Sequence, residues 1–118
     1  MTSEELAQRC AALALDKQAL NVVALDLRGI STFTDFFVIC SGRNSRQTKS
    51  ISDEVHFGMK REKLIPRSID GARDGNWVIA DYLDVVLHVF TPDTRRFYDL
   101  EDLWGDVPQV ELEHAATA

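Results

Sequence analysis

The chain has few cysteines and no long apolar run, and each absence excludes a class of protein. Only Cys10 and Cys40 occur among its 118 residues, one in a helical pattern and one in an apolar strand, which favours buried, reduced thiols over a disulfide framework. Two cysteines without histidines at ligand spacing do not predict a structural zinc site. No stretch reaches the roughly 18 apolar residues of a membrane span, and the acidic N-terminus does not resemble a signal peptide. We therefore expect a cytoplasmic protein without a membrane partner.

Basic residues are scarce as well. Thirteen Lys and Arg stand against nineteen Asp and Glu, which gives a formal net charge of −6. Clustered basic residues supply sequence-independent binding to nucleic-acid phosphates, so this balance disfavours such a role. A basic partner fits the charge better, although a negative charge also keeps a protein soluble without serving any partner.

The length predicts one domain over residues 1–118, because domains most often contain roughly 100–150 residues. Apolar spacing predicts helices over 3–17, from Asn44 or Ser45 to about 62, and after Pro92, and strands over 21–27, 36–41, 77–82 and 85–90. The first two strands are close enough to form a hairpin, and the polar segment 67–76 is a loop with room for a short strand at its start. This order predicts an α/β fold, a mixed β-sheet flanked by helices. Residues 107–118 have little core-forming pattern and are predicted to be a variable C-terminal tail.

Three residues are predicted to mark helix boundaries. Ser3 is expected to cap the first helix, because Ser favours the N-cap position, and Pro66 is expected to end the second. Asp93 or Thr94 is expected to cap the last helix.

Two aspartates raise the question of phosphoryl or nucleotidyl transfer. Asp81 and Asp84 are three residues apart across a turn, whereas paired metal-binding carboxylates on a strand need a spacing of two to project from one face. The segment CSGRNSRQ (40–47) is similar to a phosphate-binding loop that precedes a helix, but alone it is half a site. We therefore expect no catalytic residue, metal or cofactor, and a diverged nucleotidyltransferase-like enzyme is the alternative.

Other polar residues are assigned structural roles. His88 lies between Val86 and Phe90 on one strand face, which favours a partly buried, hydrogen-bonded histidine over a general base. Arg95 and Arg96 are expected to form a solvated helix start.

Trp77 and Asp81 share a face of the strand over 77–82. A carboxylate is rarely buried unpaired, so this face is expected to be at least partly open. Exposed Trp residues often dominate the binding energy of protein interfaces. The pattern therefore favours a docking face over a filled core position.

Three segments taken together, TDFFVICSGRNSRQ (34–47), GNWVIADYLDVVLHVF (75–90) and RRFYDLEDLWGD (95–106), resemble the ribosomal silencing factor (Iojap-like) family. The resemblance covers roughly residues 3–106. It implies a nucleotidyltransferase-like fold without catalytic residues, and a translational repressor that is not an enzyme and has no small-molecule substrate. Such a repressor binds the large ribosomal subunit through ribosomal protein fourteen of that subunit, sterically blocks association with the small subunit, and slows translation when nutrients are scarce.

The resemblance also implies a partner-binding surface at Trp77, Asp81, Tyr82 and Asp84, and a homodimer in the free protein. A dimeric interaction module with a non-ribosomal partner is a further alternative. The chain departs from the family at Leu83, where glycine is frequent, so a left-handed turn would strain the leucine.

Overall fold

The computed structural model describes residues 1–113. In chain order its elements are α1 (Ser3–Asp16), β1 (Leu20–Asp26), β2 (Phe36–Ser41), α2 (Ser45–Arg61), β3 (Ser68–Asp70), β4 (Trp77–Asp81), β5 (Val85–Phe90), α3 (Pro92–Tyr98) and α4 (Leu100–Trp104). The predicted strands are all present, with shifts of one residue in β1 and β4. None of the helices in this part of the chain is long and apolar enough to cross a membrane.

The strands form one mixed sheet in the order β1-β2-β5-β4-β3. β2 and β5 are parallel neighbours, and the other pairs are antiparallel, including the expected hairpin of β1 and β2. The chain passes through α2, β3 and β4 before β5 pairs with β2. β2 and β5, which are buried along their whole length, therefore lie inside the sheet with a strand on either side. The predicted α/β fold, a mixed sheet flanked by helices, is confirmed.

Alternation along β5 divides the core between the two faces of the sheet. Val85, Leu87 and Val89 belong to the larger cluster, which α1 and α2 cover. Val86 and Phe90 belong to the smaller cluster on the other face, against which α4 and Val107 of the C-terminal segment pack. Neither α3 nor α4 has a buried residue. These two short helices therefore cover their face of the sheet incompletely, and side chains on that face can reach the surface.

The two cysteines lie in the larger cluster. Cys10 and Cys40 are free and fully buried, as the sequence pattern predicts. Burial raises the pKa of both thiols, in Cys40 to about 12. Both side chains therefore act as small apolar core residues.

The first helix is capped one residue earlier than predicted, by Thr2 and not by Ser3. The Thr2 hydroxyl accepts a hydrogen bond from the Glu5 N–H at 3.1 Å, and the Glu5 carboxylate accepts one from the Thr2 N–H at 2.8 Å. This reciprocal pair is a capping box, which requires the acidic residue three positions after the cap. The position of Glu5 therefore selects Thr2.

The second helix has close to its predicted bounds, but a different residue ends it. Asn44 caps it by accepting a hydrogen bond from the Gln47 N–H at 2.9 Å. The helix ends at Arg61 because Lys63 adopts a left-handed conformation, with φ of 62°. Pro66 lies beyond this break and does not end the helix, contrary to the prediction.

The predicted single helix after Pro92 is two short helices. Asp99 adopts a left-handed conformation, with φ of 45°, and separates α3 from α4. The N-cap of α3 is Thr91, without a side-chain capping bond, so neither Asp93 nor Thr94 is the cap. The break occurs at a non-glycine residue, for which a left-handed φ is uncommon.

Residues 107–113 lie over the surface of the domain along the edge of β1. The Asp26 N–H donates to the Pro108 carbonyl, and the Val110 N–H donates to a carbonyl of β1, both at 2.8 Å. Val110 and Leu112 also pack on the larger core cluster. Two apolar residues are too few to form a recognisable pattern, although they cover the edge of β1. Residues 114–118 of the predicted tail lie outside the described residues.

Candidate protein-docking surface

Trp77 begins β4 on the sheet face away from α1 and α2, and its indole is half-buried. The ring stacks on Phe90, its cross-strand partner, with centroids 4.9 Å apart, and contacts the Tyr98 ring at 4.8 Å. Its Nε1–H donates to Nδ1 of His88 at 3.1 Å. Contacts with three aromatic side chains therefore hold one side of the indole, while the rest reaches solvent.

His88 is hydrogen-bonded, as the sequence predicts, and is more deeply buried than the partial burial expected. It is 5% exposed, and its ring packs edge-on against Phe37 with centroids 4.5 Å apart. Burial lowers the pKa of His88 to about 4, so the imidazole is neutral near pH 7. A neutral ring that accepts at Nδ1 carries its proton on Nε2.

Asp81 ends β4 on the same face as Trp77, and its carboxylate already has partners within the chain. Nη2 of Arg67 donates to Oδ2 at 2.7 Å, and the Leu83 N–H donates to Oδ1 at 2.8 Å. Burial raises the pKa of Asp81, but the hydrogen bonds from Arg67 and Leu83 outweigh it, so the pKa lies below its usual value. Both oxygens are engaged, which disfavours a shared metal site with Asp84.

The turn between β4 and β5 consists of Leu83 and Asp84, both exposed. Leu83 has φ of 75°, which is the left-handed strain that its departure from glycine predicts. The backbone carbonyl of Asp84 accepts the N–H groups of Asp35 and Phe36, at 2.9 and 3.1 Å. These bonds tie the turn to β2 and leave the Asp84 carboxylate at the surface.

Tyr82 lies on the opposite face of the sheet from Trp77. It is 7% exposed and belongs to the cluster that α1 and α2 cover. Its hydroxyl is buried without a hydrogen-bond partner among the described residues, and burial raises the pKa of the phenol. Of the four predicted binding residues, Tyr82 therefore supports the hairpin from beneath.

The structure brings Trp77 and Asp81 onto one surface and places Asp84 at its end. Their four-residue separation along β4 corresponds to about 13 Å, and the half-buried Ile79 lies between them. We use the term docking surface for Trp77, Ile79, Asp81 and the exposed turn residue Asp84. Among residues 1–113, no group of three or more His, Cys, Asp or Glu is arranged to hold a metal ion.

The sequence did not predict the exposed apolar residues of α3 and α4. Phe97 and Leu103 are 80% and 76% exposed, although their helical spacing suggested burial in one continuous helix. The break at Asp99 puts them out of a common register and leaves both facing solvent. The signal for exposure was the aspartate- and glutamate-rich sequence DLED between them.

Arg95 is not part of a solvated helix start, contrary to the prediction. Its side chain is 12% exposed and forms a two-pronged ion pair with Glu101, at 3.0 and 2.9 Å. It also donates to the Ser41 hydroxyl at 2.9 Å. Arg95 therefore joins α3 and α4 to the end of β2. Arg96 is exposed, as predicted, and pairs with Asp93.

Comparisons with known proteins identify the family. The family model described as "Ribosomal silencing factor during starvation" matches residues 1–118. The ribosomal silencing factors of Halalkalibacterium halodurans and Bacillus subtilis are 42% and 36% identical over 113 residues, which is 96% of this chain and 97% and 96% of theirs. The chloroplast Iojap protein of Zea mays is 32% identical, with 86% of this chain and 46% of that protein covered.

Solved structures agree with this assignment. A crystal structure from Bacillus halodurans superposes with a TM-score of 0.83 at 39% identity, covering 92% of this chain and 99% of that one. A crystal structure from Chromobacterium violaceum gives a TM-score of 0.87 at 26% identity, covering 96% and 93%. The match extends through both the sheet and its helices, and the chain belongs to the ribosomal silencing factor family.

Proposed function

We propose that this protein is a translational repressor that binds the large ribosomal subunit through ribosomal protein fourteen of that subunit. The bound protein sterically blocks association with the small subunit and so slows translation under nutrient limitation. It acts in the cytoplasm by occupying a surface, without an enzymatic step. Membership of the ribosomal silencing factor family supports the ribosome-associated, translation-silencing part of this role.

The observation that carries the proposal is that Trp77 and Asp81 lie on the same face of β4, and that the helices leave this face partly open. Partly buried aromatic residues with a fixed orientation are typical of the energetic centre of protein interfaces. Asp81 provides a carboxylate for a Lys or Arg of the partner. Asp84 extends the acidic character at the turn, and Tyr82 supports the strand that presents Asp81.

Charge favours a basic partner for this surface. The chain has a formal net charge of −6, and complementary charge accelerates encounter more than it strengthens the final complex. Arg67 now pairs with Asp81, but the pair is exposed on the Arg67 side, where ion pairs contribute only about 0–1 kcal/mol. A basic side chain of the partner can therefore replace or share Arg67 at little cost.

The size of the domain suits steric exclusion. Its principal extents are 33 × 33 × 30 Å, so a domain bound at the surface where the subunits meet would separate them widely. No conformational change is needed for this mechanism. A single docked copy is sufficient.

A homodimer of the free protein is the second proposal, and it involves the same surface. Phe97, whose ring contacts Tyr98 next to Trp77, and Leu103 of α4 are exposed apolar side chains that a second copy can cover. Dimer formation and ribosome binding would then compete. Replacement of Trp77 by alanine should raise the dimer dissociation constant, measured by analytical ultracentrifugation, and an unchanged constant would contradict the competition.

Co-sedimentation with purified ribosomal subunits tests the main proposal. Wild-type protein should pellet with the large subunit and not with the small one. Trp77→Ala should weaken this binding at least about 30-fold, which corresponds to the roughly 2 kcal/mol lost at an interface hot spot.

Phe57→Ala is the matched control for Trp77→Ala. Phe57 is 59% exposed on α2, which covers the other face of the sheet, so this variant should bind as wild type does. Equal binding by Trp77→Ala and wild type would overturn the docking surface. A folded wild-type protein that pellets with neither subunit would overturn the proposed function.

A further inference from the structure

His88 occupies the position from which it can control the indole of Trp77. In the β4–β5 ladder Trp77 is opposite Phe90, and His88 is opposite Ile79. His88 is thus the diagonal neighbour of Trp77 on the same sheet face, within reach of a large aromatic side chain. The Nε1–H of Trp77 donates to Nδ1 of His88 at 3.1 Å, so the register of the two strands creates this contact.

The hydrogen bond fixes a degree of freedom that stacking leaves open. The Trp77 ring lies on Phe90 at an interplanar angle of 25° and against Tyr98 at 44°. Flat contacts of this kind tolerate rotation of the ring, because the χ2 torsion of tryptophan has a broad energy profile. A directional bond at Nε1 selects which edge of the indole faces solvent.

The bond requires a neutral imidazole with a free lone pair at Nδ1. Phe37 packs edge-on against the His88 ring, and the imidazole lies nearly parallel to Phe90, at 12°. Among the described residues Nε2 of His88 has no hydrogen-bond partner. Aromatic packing and the single bond to Trp77 therefore determine the orientation of the imidazole.

We infer that His88 is a positioning residue for partner binding: its Nδ1 holds the indole of Trp77 in the orientation that docks on the ribosomal protein. This inference rests on the proposed function, in which Trp77 contacts the partner. His88 is itself buried and touches no partner. Its contribution comes from ordering Trp77 before binding, which lowers the entropic cost of association.

Two substitutions separate the hydrogen bond from the packing of the ring. His88→Phe keeps an aromatic ring beside Phe37 and Phe90 but removes the acceptor. His88→Asn places a carbonyl oxygen near the position of Nδ1 and can restore the acceptor. His88→Phe should weaken large-subunit binding about fivefold, the equivalent of one ordinary hydrogen bond, and His88→Asn should recover most of that loss.

The free protein gives a readout that a purely structural role would not change. In a ¹⁵N-correlated NMR spectrum, two indole N–H resonances arise from Trp77 and Trp104, and Trp77→Phe assigns them. The Trp77 resonance should lie downfield of that of Trp104, whose Nε1 is buried without a partner among residues 1–113. It should move upfield in His88→Phe and return in His88→Asn. This comparison within the wild-type protein remains decisive if His88→Phe does not fold.

Binding measured in a double-mutant cycle completes the test. In the Trp77→Phe background the indole donor is absent, so His88→Phe should cause no further loss of binding. Equal losses in both backgrounds, or wild-type binding by His88→Phe despite a shifted Trp77 resonance, would overturn the positioning role while the proposed function stands. Absence of large-subunit binding by wild type would overturn the proposed function and this inference with it.

Discussion

Arg67 and Asp81 form an ion pair across the β3–β4 edge of the docking surface, with Nη2 and Oδ2 2.7 Å apart. The Arg67 side chain is 60% exposed, whereas that of Asp81 is 20% exposed. The Asp81 carboxylate, which we propose binds a basic side chain of the partner, is therefore held by the exposed Arg67, which can move away. This arrangement orients Asp81 in the free protein and makes Arg67 a competitor for it.

Arg67→Gln should therefore tighten binding to the large subunit about two- to fivefold, because exposed ion pairs contribute less than about 1 kcal/mol. The variant frees the Asp81 carboxylate and removes a positive charge that opposes a basic partner. Fluorescence-detected titration with large subunits measures the change. Arg61→Gln, with the same change of charge at the end of α2, should alter the affinity less. Unchanged or weaker binding by Arg67→Gln would count against the assigned role of Asp81.

Leu83→Gly should stabilise the domain. The left-handed φ of 75° costs a non-glycine residue about 1–2 kcal/mol, and the gain exceeds the extra chain entropy that glycine adds to the unfolded state, about 0.5–1 kcal/mol. We expect a net gain of about 0.5–1 kcal/mol by urea denaturation. Leu83→Ala, which shortens the side chain but keeps the strain, should show no gain. Destabilisation by glycine would mean that contacts of the leucine outweigh the strain.

The stability of the domain should fall as pH decreases from about 6.5 towards 4. The pKa of His88 is about 4 in the folded protein against 6.5 for an unperturbed histidine, so in this window the unfolded chain binds a proton that the folded one excludes. The loss is about 1.4 kcal/mol per pH unit and about 3 kcal/mol in total. The carboxylates of Asp26 and Asp81 have lowered pKa values, so their contributions are lost below this window.

Urea denaturation of wild type and His88→Phe at a series of pH values isolates this contribution. The difference in unfolding free energy between the two proteins should shift by about 3 kcal/mol in favour of the variant on acidification. Parallel pH profiles for the two proteins would show that His88 is not the group responsible.

The C-terminal segment should contribute to stability through Leu112. Its side chain packs against the larger core cluster, so Leu112→Ala should lower the unfolding free energy by about 1–2 kcal/mol, less than a fully buried leucine loses. Leu103→Ala makes the same chemical change at a side chain that is 76% exposed, and should cost less than about 0.5 kcal/mol. Equal effects in thermal melts would show that the segment does not form part of the folded unit.

The sequence is sufficient for the central sheet and its two buried faces because strand alternation is a strictly local signal. The two-residue period alone places Val86, His88 and Phe90 on one face and Val85 and Leu87 on the other, and the structure agrees. The same period correctly put Trp77 and Asp81 together. The strain at Leu83 was expected from the family resemblance, because glycine is frequent at this turn position and a leucine there departs from it.

Features that depend on distant partners were not predictable in this way. Arg95 is buried by Glu101 and Ser41, and no spacing rule connects Arg95 to a serine on β2. Asp99 breaks the last helix. Aspartate is only modestly less favourable in a helix than other ordinary residues, so the apolar spacing on either side of it still predicts one continuous helix. The aromatic surroundings of Trp77 combine Phe90 with Tyr98 from a separate helix, so the orientation of the indole became apparent only in three dimensions.

A subunit-association assay in the presence of the protein tests whether the docking surface keeps the two ribosomal subunits apart. Large subunits are incubated with wild-type protein, Trp77→Ala or Phe57→Ala, then mixed with small subunits at a magnesium concentration that permits joining, and the products are separated on sucrose gradients. Wild type and Phe57→Ala should keep the subunits apart, whereas Trp77→Ala should let them join. Joining that proceeds equally with wild type and without any added protein would show that the protein does not block subunit association.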